Sequence, residues 1–227
     1  NDARRQRQMC IRDSNRTMVM IGAAMLWVGW FGFNAGSAVA ADGSAGMAML
    51  VTHISASVGA LTWVGIEWIK SGKATIIGIA TGMVAGLATI TPASGTVGPA
   101  GALLIGFMAG IICFYATQTV KSYFKIDDSL DVFPVHGVGG ILGIIMLCFV
   151  GNPDGFLGSG AAGISEDGAI AQLLIQLQGI VIICAWTAVA TYFILKAISL
   201  FTEIRVSIED EEVGLDISEH NEQGYSL

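Results

Sequence analysis

The chain has 227 residues, of which 53% are hydrophobic and 13% charged, and its formal net charge is −7. Globular domains carry about 25% charged residues, so this composition excludes an ordinary soluble domain and points to a membrane protein. Residues 203–227 hold eight acidic side chains and one base, Arg205, which accounts for the whole net charge and leaves residues 1–202 neutral. No basic stripe is available to neutralise phosphates, which excludes nucleic-acid binding as a main function.

Residues 1–14 form a basic head with Arg4, Arg5, Arg7 and Arg12. It lacks the apolar stretch and cleavage site of a signal peptide, and is read as a non-native or loop segment. Residues 15–202 are read as the membrane domain and 203–227 as an acidic cytoplasmic tail. A membrane helix needs about 20 consecutive apolar residues. Stretches without Asp, Glu, Lys or Arg run over 17–41, 43–66, 74–120, 132–153 and 168–195. The third is too long for one span, and the turn-rich string Thr91-Pro92-Ala93-Ser94-Gly95-Thr96-Val97-Gly98-Pro99 divides it. The expected fold is therefore an all-α polytopic membrane helix bundle of six spans.

With six spans the loops alternate sides. Lys70 and Lys73, Lys121 and Lys125, and Lys196 with Arg205 fall on one side, whereas loops 42–46, 91–99 and 152–169 carry no Lys or Arg. The positive-inside rule makes the first set, and both chain termini, cytoplasmic. The tail is opposite in charge to the lysine-bearing loops. Cys10, Cys113, Cys148 and Cys184 are isolated, so no metal or redox cofactor is expected. No nucleophile–base pair, P-loop or metal-ligand spacing points to an enzyme.

Polar groups inside an apolar span are costly, and those present are the candidates for function. In the first span Gly29, Gly32 and Gly36 sit three and four apart, a groove for close helix packing. Trp27 and Trp30 suit interfacial anchoring. Phe33 and Ser37 share a helical face, where an aromatic ring beside a hydroxyl oxygen can hold a small cation. In the second span, His53 suggests a packing hydrogen bond and Glu67 a pairing or snorkelling role near Lys70. Thr81 and Thr91 in the third span suggest back-bonding to their own helix. The fifth span opens with Asp131 as an expected N-cap, followed by Pro134. His136 lies about one turn further on. A neutral imidazole there offers one donor and one acceptor to a small molecule in a narrow pore.

These stretches carry a family pattern. Trp27-Val28-Gly29-Trp30-Phe31-Gly32-Phe33-Asn34-Ala35-Gly36-Ser37 resembles a signature of the ammonium transporter (Amt/Mep/Rh) family. Thr91-Pro92-Ala93-Ser94-Gly95, Asp127-Asp128-Ser129-Leu130-Asp131-Val132-Phe133-Pro134-Val135-His136-Gly137 and Glu211-Glu212-Val213-Gly214-Leu215-Asp216 follow in the family's order. The resemblance implies spans six to eleven of an eleven-span, inverted-repeat fold, with the substrate path at the repeat interface. It implies ammonium or ammonia as substrate, a lipid bilayer of the cell membrane as surroundings, a homotrimer, and a PII-type signalling protein docking at the cytoplasmic face. By resemblance Phe33 gates the pore, Ser37 accepts a hydrogen bond from ammonium, Trp30 lies near the outer vestibule, Thr91 lines the path and His136 is the second pore histidine. Gly214, Leu215 and Asp216 belong to a regulatory tail. The first pore histidine and the structural aspartate of the family belong to spans three to five. Two other readings accompany this one: a gas channel of the Rh type, and an ammonium sensor or inactive fragment.

Overall fold

The computed structural model describes residues 15–126, 128–151 and 168–222. Six long helices occupy the apolar stretches: α1 (Arg16–Gly36), α2 (Gly43–Ser71), α3 (Ile76–Ile90), α4 (Pro99–Ser122), α5 (Gly139–Val150) and α6 (Ala169–Ile198). Two short helices, α7 (Ile208–Val213) and α8 (Leu215–Ser218), follow in the tail. A 3₁₀ turn over Thr91–Ala93 extends α3, and a π-helical segment over Phe133–Val138 leads into α5. Counting those extensions, six helices are long and apolar enough to cross a membrane. The expected head at 1–14, the outer loop at 152–167 and Asp127 lie outside the described residues.

The helix starts follow from capping chemistry. Asn15 accepts from the backbone N–H groups of Thr17 and Met18 at the head of α1, and Asp42 from those of Ser44 and Ala45 at the head of α2. Thr75 Oγ1 accepts from Gly78 N at 2.8 Å to open α3, and Pro99 supplies the preset φ for the first turn of α4. Gly72, at φ 71°, closes α2 in the left-handed region that glycine reaches without steric cost.

One expected cap is corrected. Asp131 does not cap the fifth span. Asp128 does, accepting from Val132 N at 2.9 Å and Phe133 N at 2.8 Å with its two carboxylate oxygens. Asp131 sits at φ 56° and instead pairs with Lys121 Nζ at 2.6 Å. Glu67 is likewise redirected. Its carboxylate accepts from Thr75 N at 3.0 Å and from Thr75 Oγ1, tying the end of α2 to the start of α3 rather than pairing along its own helix.

The described chain falls into two units, one spanning residues 15–177 and one that includes residues 178–222. The core of the first lies where α2, α3 and α4 meet. Ser55 is fully buried there and donates to Gly86 O across helices at 2.8 Å. The close approach is possible because two residues facing Ser55 lack side chains. A Cβ on Gly106 would stand 2.6 Å from Ser55 O, and one on Gly86 would collide with the same carbonyl. Val51, Ile90, Val97, Ala102, Ile105 and Leu147 form an apolar cluster on one side of this crossing. Trp63, Ala85, Cys113, Phe114 and Val135 form another. Cys113 and Cys148 are buried thiols, whereas Cys184 on α6 is exposed.

α1 is held at this core by apolar packing of Ala23, Trp27 and Trp30 against Ala56, Met83 and Leu87, and by polar pins. Asn34 is buried and donates from Nδ2 to Thr52 Oγ1 at 2.9 Å, while Thr52 donates to Ala48 O. The expected glycine groove packs against nothing among the described residues: a Cβ on Gly29, Gly32 or Gly36 would meet none of their atoms within 4 Å.

In the second unit, Arg205 donates from its guanidinium to both carboxylate oxygens of Glu211, at 2.8 and 3.1 Å. That hydrogen bonding, reinforced by the guanidinium charge, holds the Glu211 carboxyl below its usual range. Ser207 caps α7 by accepting from Asp210 N at 3.1 Å, and Gly214 at φ 109° separates α7 from α8.

The Ser55 crossing predicts a sharp positional contrast. Gly86→Ala should lower stability by about 1–3 kcal/mol, because its Cβ has no space. Gly65→Ala on α2, where a Cβ meets nothing within 4 Å, should leave the midpoint unchanged. Denaturation of the purified chain in mixed micelles, followed by helical circular dichroism, reads both.

Candidate functional site

The spacing of the first span places Trp27, Trp30, Phe33, Asn34 and Ser37 along successive turns of α1. Trp30 is the residue around which the others gather. Its indole Nε1 donates to Thr91 Oγ1 at 2.8 Å, and Thr91 in turn donates to Leu87 O at 2.7 Å. The back-bond expected of Thr91 is therefore present, but its oxygen also fixes an aromatic ring. Thr81 makes only the expected back-bond, to Ile77 O. Phe33 meets the Trp30 ring edge-on with centroids 5.9 Å apart. His136 lies nearly parallel to it at 6.5 Å and 17°.

Ser37 closes the turn above Phe33, where its hydroxyl donates to Phe33 O at 2.6 Å. Its one proton is thereby engaged, and the oxygen has lone pairs left only to accept. Ser37, Phe33 and His136 are all exposed, Phe33 at 63%. Trp30 and Thr91 are half-buried. The π-helical segment supports this placement of His136: the widened turn begins beside Pro134, whose ring has no N–H to donate, and Pro134 and Val135 bury themselves while His136 stays open.

Two residues read differently in the structure than in the sequence. His53 makes no side-chain hydrogen bond among the described residues, while its backbone oxygen accepts from Ser57 Oγ at 2.8 Å. It is exposed, with its ring 5.1 Å from Trp27 and 6.1 Å from Phe31. The sequence could not show this, because the partners come from another helix. Asn34 lay inside the quoted motif without a role. Its signal was there: a primary amide in an apolar span requires a partner. Among the described residues, no group of three or more His, Cys, Asp and Glu side chains is placed to hold a metal ion.

Residues 1–225 match the model of the Ammonium Transporter Family. The chain belongs to the ammonium transporter family. It is 40% identical over 223 residues to an ammonium transporter of Aquifex aeolicus, covering 98% of this chain and 52% of that protein. It is 43% identical over 211 residues to the ammonium transporter Amt1 of Archaeoglobus fulgidus, covering 92% and 52%. Among solved structures, a Sensor Amt Protein superposes with a TM-score of 0.81 at 28% identity, covering 90% of this chain and 49% of that one. Saccharomyces cerevisiae Mep2 superposes at 0.73 and 33% identity, covering 86% and 50%. The chain therefore spans about half the length of the relatives it matches. Its expected all-helical, six-span membrane fold agrees with these neighbours, and the relatives' names are those of transporters rather than enzymes.

The Trp30–Thr91 bond predicts that Thr91→Val, close in shape but without the acceptor, loses about 1 kcal/mol. Thr91→Ser should keep most of it. Thermal unfolding midpoints of the purified variants would separate them.

Proposed function

We propose that this chain is the C-terminal half of an ammonium transporter, spans six to eleven, and supplies one wall of a pore for ammonium and ammonia. The observation that carries the reading is the gathering of Phe33, Thr91 and His136 around the Trp30 ring. Ammonium leaves water reluctantly, since an unpaired charge in an apolar medium is very costly. The faces of Trp30 and Phe33 offset part of that cost by cation–π attraction. Ser37 adds a directional preference. With its proton engaged by Phe33 O, its oxygen offers lone pairs with which an N–H donor can align, and discrimination against potassium comes from combining that one acceptor with ring faces that supply no further oxygen ligands.

On this reading ammonium transfers a proton to water at the entrance, breaking one N–H bond and forming hydronium, and neutral ammonia continues, because a charged ion in an apolar path would be very costly. The His136 imidazole offers ammonia one donor and one acceptor. Its exposed position suits a pore wall completed by the other half of the fold. The six apolar spans support a location in the cell membrane, and the charge asymmetry supports lysine-bearing loops and a tail on the cytoplasmic side. The assembly is proposed to be a homotrimer, with a PII-type signalling protein docking at the cytoplasmic face.

The tail supports that last partner by its order. Arg205 and Glu211 hold the segment ahead of α7 in place, and Gly214 turns the chain so that Leu215 and Asp216 open a second helix. An ordered, acidic cytoplasmic segment suits a docking role better than a solvated coil would.

Two measurements test the reading, both made in the complete reading frame that contains this chain. His136→Ala should lower ammonium-evoked current in proteoliposomes by about a hundredfold, the low end of what a positioned proton-transfer group contributes. An unchanged current would overturn the pore role. Removing residues 206–227 should abolish co-purification of a PII-type protein while the membrane domain still elutes as a single oligomer; retained binding would overturn the tail's role.

A further inference from the structure

The Trp30 ring comes from α1 and the His136 ring from the turn that leads into α5, yet one short stretch at the end of α3 seats both. Thr91 accepts the indole N–H of Trp30. Two residues earlier, Thr89 is fully buried and carries the start of α5. A Cβ built on Gly139 would stand 2.9 Å from Thr89 Oγ1 and 3.3 Å from Cys113 Sγ, and one on Gly143 would collide with Thr89 O. Contact at these two positions, one helical turn apart, fixes how near α5 comes to α3, because a close-packed interior has no slack to absorb an added methyl group.

His136 is presented from inside this seat. Its neighbour Val135 is buried in the cluster that holds Cys113 and Phe114. Gly139, three residues beyond His136, rests on Thr89 and on the same Cys113. The widened π-helical turn is thus held on both sides of His136, which it leaves exposed. Thr89 sets the height of that turn and Thr91 holds the ring opposite. The 6.5 Å between the Trp30 and His136 rings follows from both.

We propose that Thr89 and Gly139 are a size-matched pair of positioning residues: the threonine side chain fills the space that a side chain at 139 would need, and the fit holds His136 against Trp30. Both act through His136 and not on the substrate. The effect on transport rests on the pore reading of His136, whereas the seating of its ring is a property of the fold and is measured separately.

The test is a double-mutant cycle in the complete reading frame that contains this chain. It reads ammonium-evoked current in proteoliposomes and, in histidine-labelled protein, the NMR signal of the His136 ring. That signal is identified by its loss in His136→Ala and is displaced by the ring current of Trp30. Gly139→Ala should lower the current by about tenfold, since misplacing an acting group by about 1 Å can cost about a hundredfold. It should also move the His136 signal toward its position in Trp30→Leu. Adding Thr89→Ala removes Oγ1 and should restore most of both. Gly86→Ala, at the Ser55 crossing, should lower stability without moving the His136 signal. The proposal is overturned if Gly139→Ala leaves that signal in place, or leaves the current intact where His136→Ala lowers it. It is also overturned if the double variant is no better than Gly139→Ala, or if Gly86→Ala moves the signal equally, which would mean general loosening. Should Gly139→Ala fail to fold, a folded double variant supports the pair and an unfolded one overturns it. A signal that moves and recovers as expected, with the current indifferent even to His136→Ala, would support the pair and overturn the pore role instead.

Discussion

The arrangement of the first five spans depends on how closely α2 can approach α3 and α4 at Ser55. With Ser55 O against Gly86 and Gly106, the helices meet backbone to backbone, and the Ser55 hydroxyl closes the contact on Gly86 O. In hydrocarbon there is little hydrophobic force between helices, so packing of small residues and interhelical hydrogen bonds must supply the association. That crossing fixes the register of two antiparallel helices. Moving outward from it, Thr52 lies three residues along α2 and Thr91 five residues along α3. These two hydroxyls are the ones that receive α1, through Asn34 and Trp30, one helical turn apart. Two donors on neighbouring turns set both the height and the rotation of α1. The direction in which Phe33 and Ser37 face follows from them.

The spans were legible in the sequence because exclusion of charge over about 20 residues is a crude and cumulative signal that survives local detail. The end of α3 and the start of α4 were legible through Pro92, Gly98 and Pro99, which break the long apolar stretch. Side-chain assignments near the helix ends were less so. Asp128 and Asp131 both stand before the fifth span, and local spacing favours the nearer one. The choice was made elsewhere, by Lys121 at the end of α4, which draws Asp131 away and leaves Asp128 to reach the free N–H groups. Glu67 and Lys70 show the same logic. An i, i+3 pair on a helix surface is worth a few tenths of a kcal/mol. A carboxylate that can instead accept from the backbone of the next helix gains more, because that N–H has no partner within its own helix.

The candidate site was legible as a set of residues and not as a geometry. Phe33 and Ser37 were readable from helical spacing. Thr91 and His136 became associated with them only by order along the chain, and the structure supplies the reason they meet, which is the Trp30 ring. An indole has one donor and two large faces. Here the donor goes to Thr91 while the ring meets the edge of Phe33 and lies nearly parallel to His136. The interfacial-anchor reading of Trp30 missed this because anchoring uses the amphipathic character of the ring without naming its hydrogen-bond partner. His53 was misread for the converse reason. A histidine in a span invites a hydrogen bond, but Trp27 and Phe31 offer it aromatic surface instead.

Selectivity on the proposed function rests on which way one hydroxyl proton faces. A serine whose proton is free can either donate or accept, and would coordinate potassium through its oxygen as readily as it would meet ammonium. Donation to Phe33 O at the distance of a short hydrogen bond does not remove the oxygen's attraction for a metal cation, so it cannot reject potassium by itself. What it does is keep the lone pairs directed away from the helix, where an N–H donor can align with one of them. A spherical ion gains nothing from that alignment, whereas a tetrahedral one gains a directional bond on one vertex while its remaining charge rests against aromatic faces. The discrimination comes from combining a directional acceptor with ring faces that offer no further oxygen ligands. Potassium entering this site would surrender several water oxygens and recover one, and ammonium would exchange hydrogen bonds to water for one hydrogen bond and the attraction of the rings. On the proposed function, the same scarcity of oxygen ligands would stop ammonium at this site, so that it hands a proton to water before neutral ammonia moves on past His136.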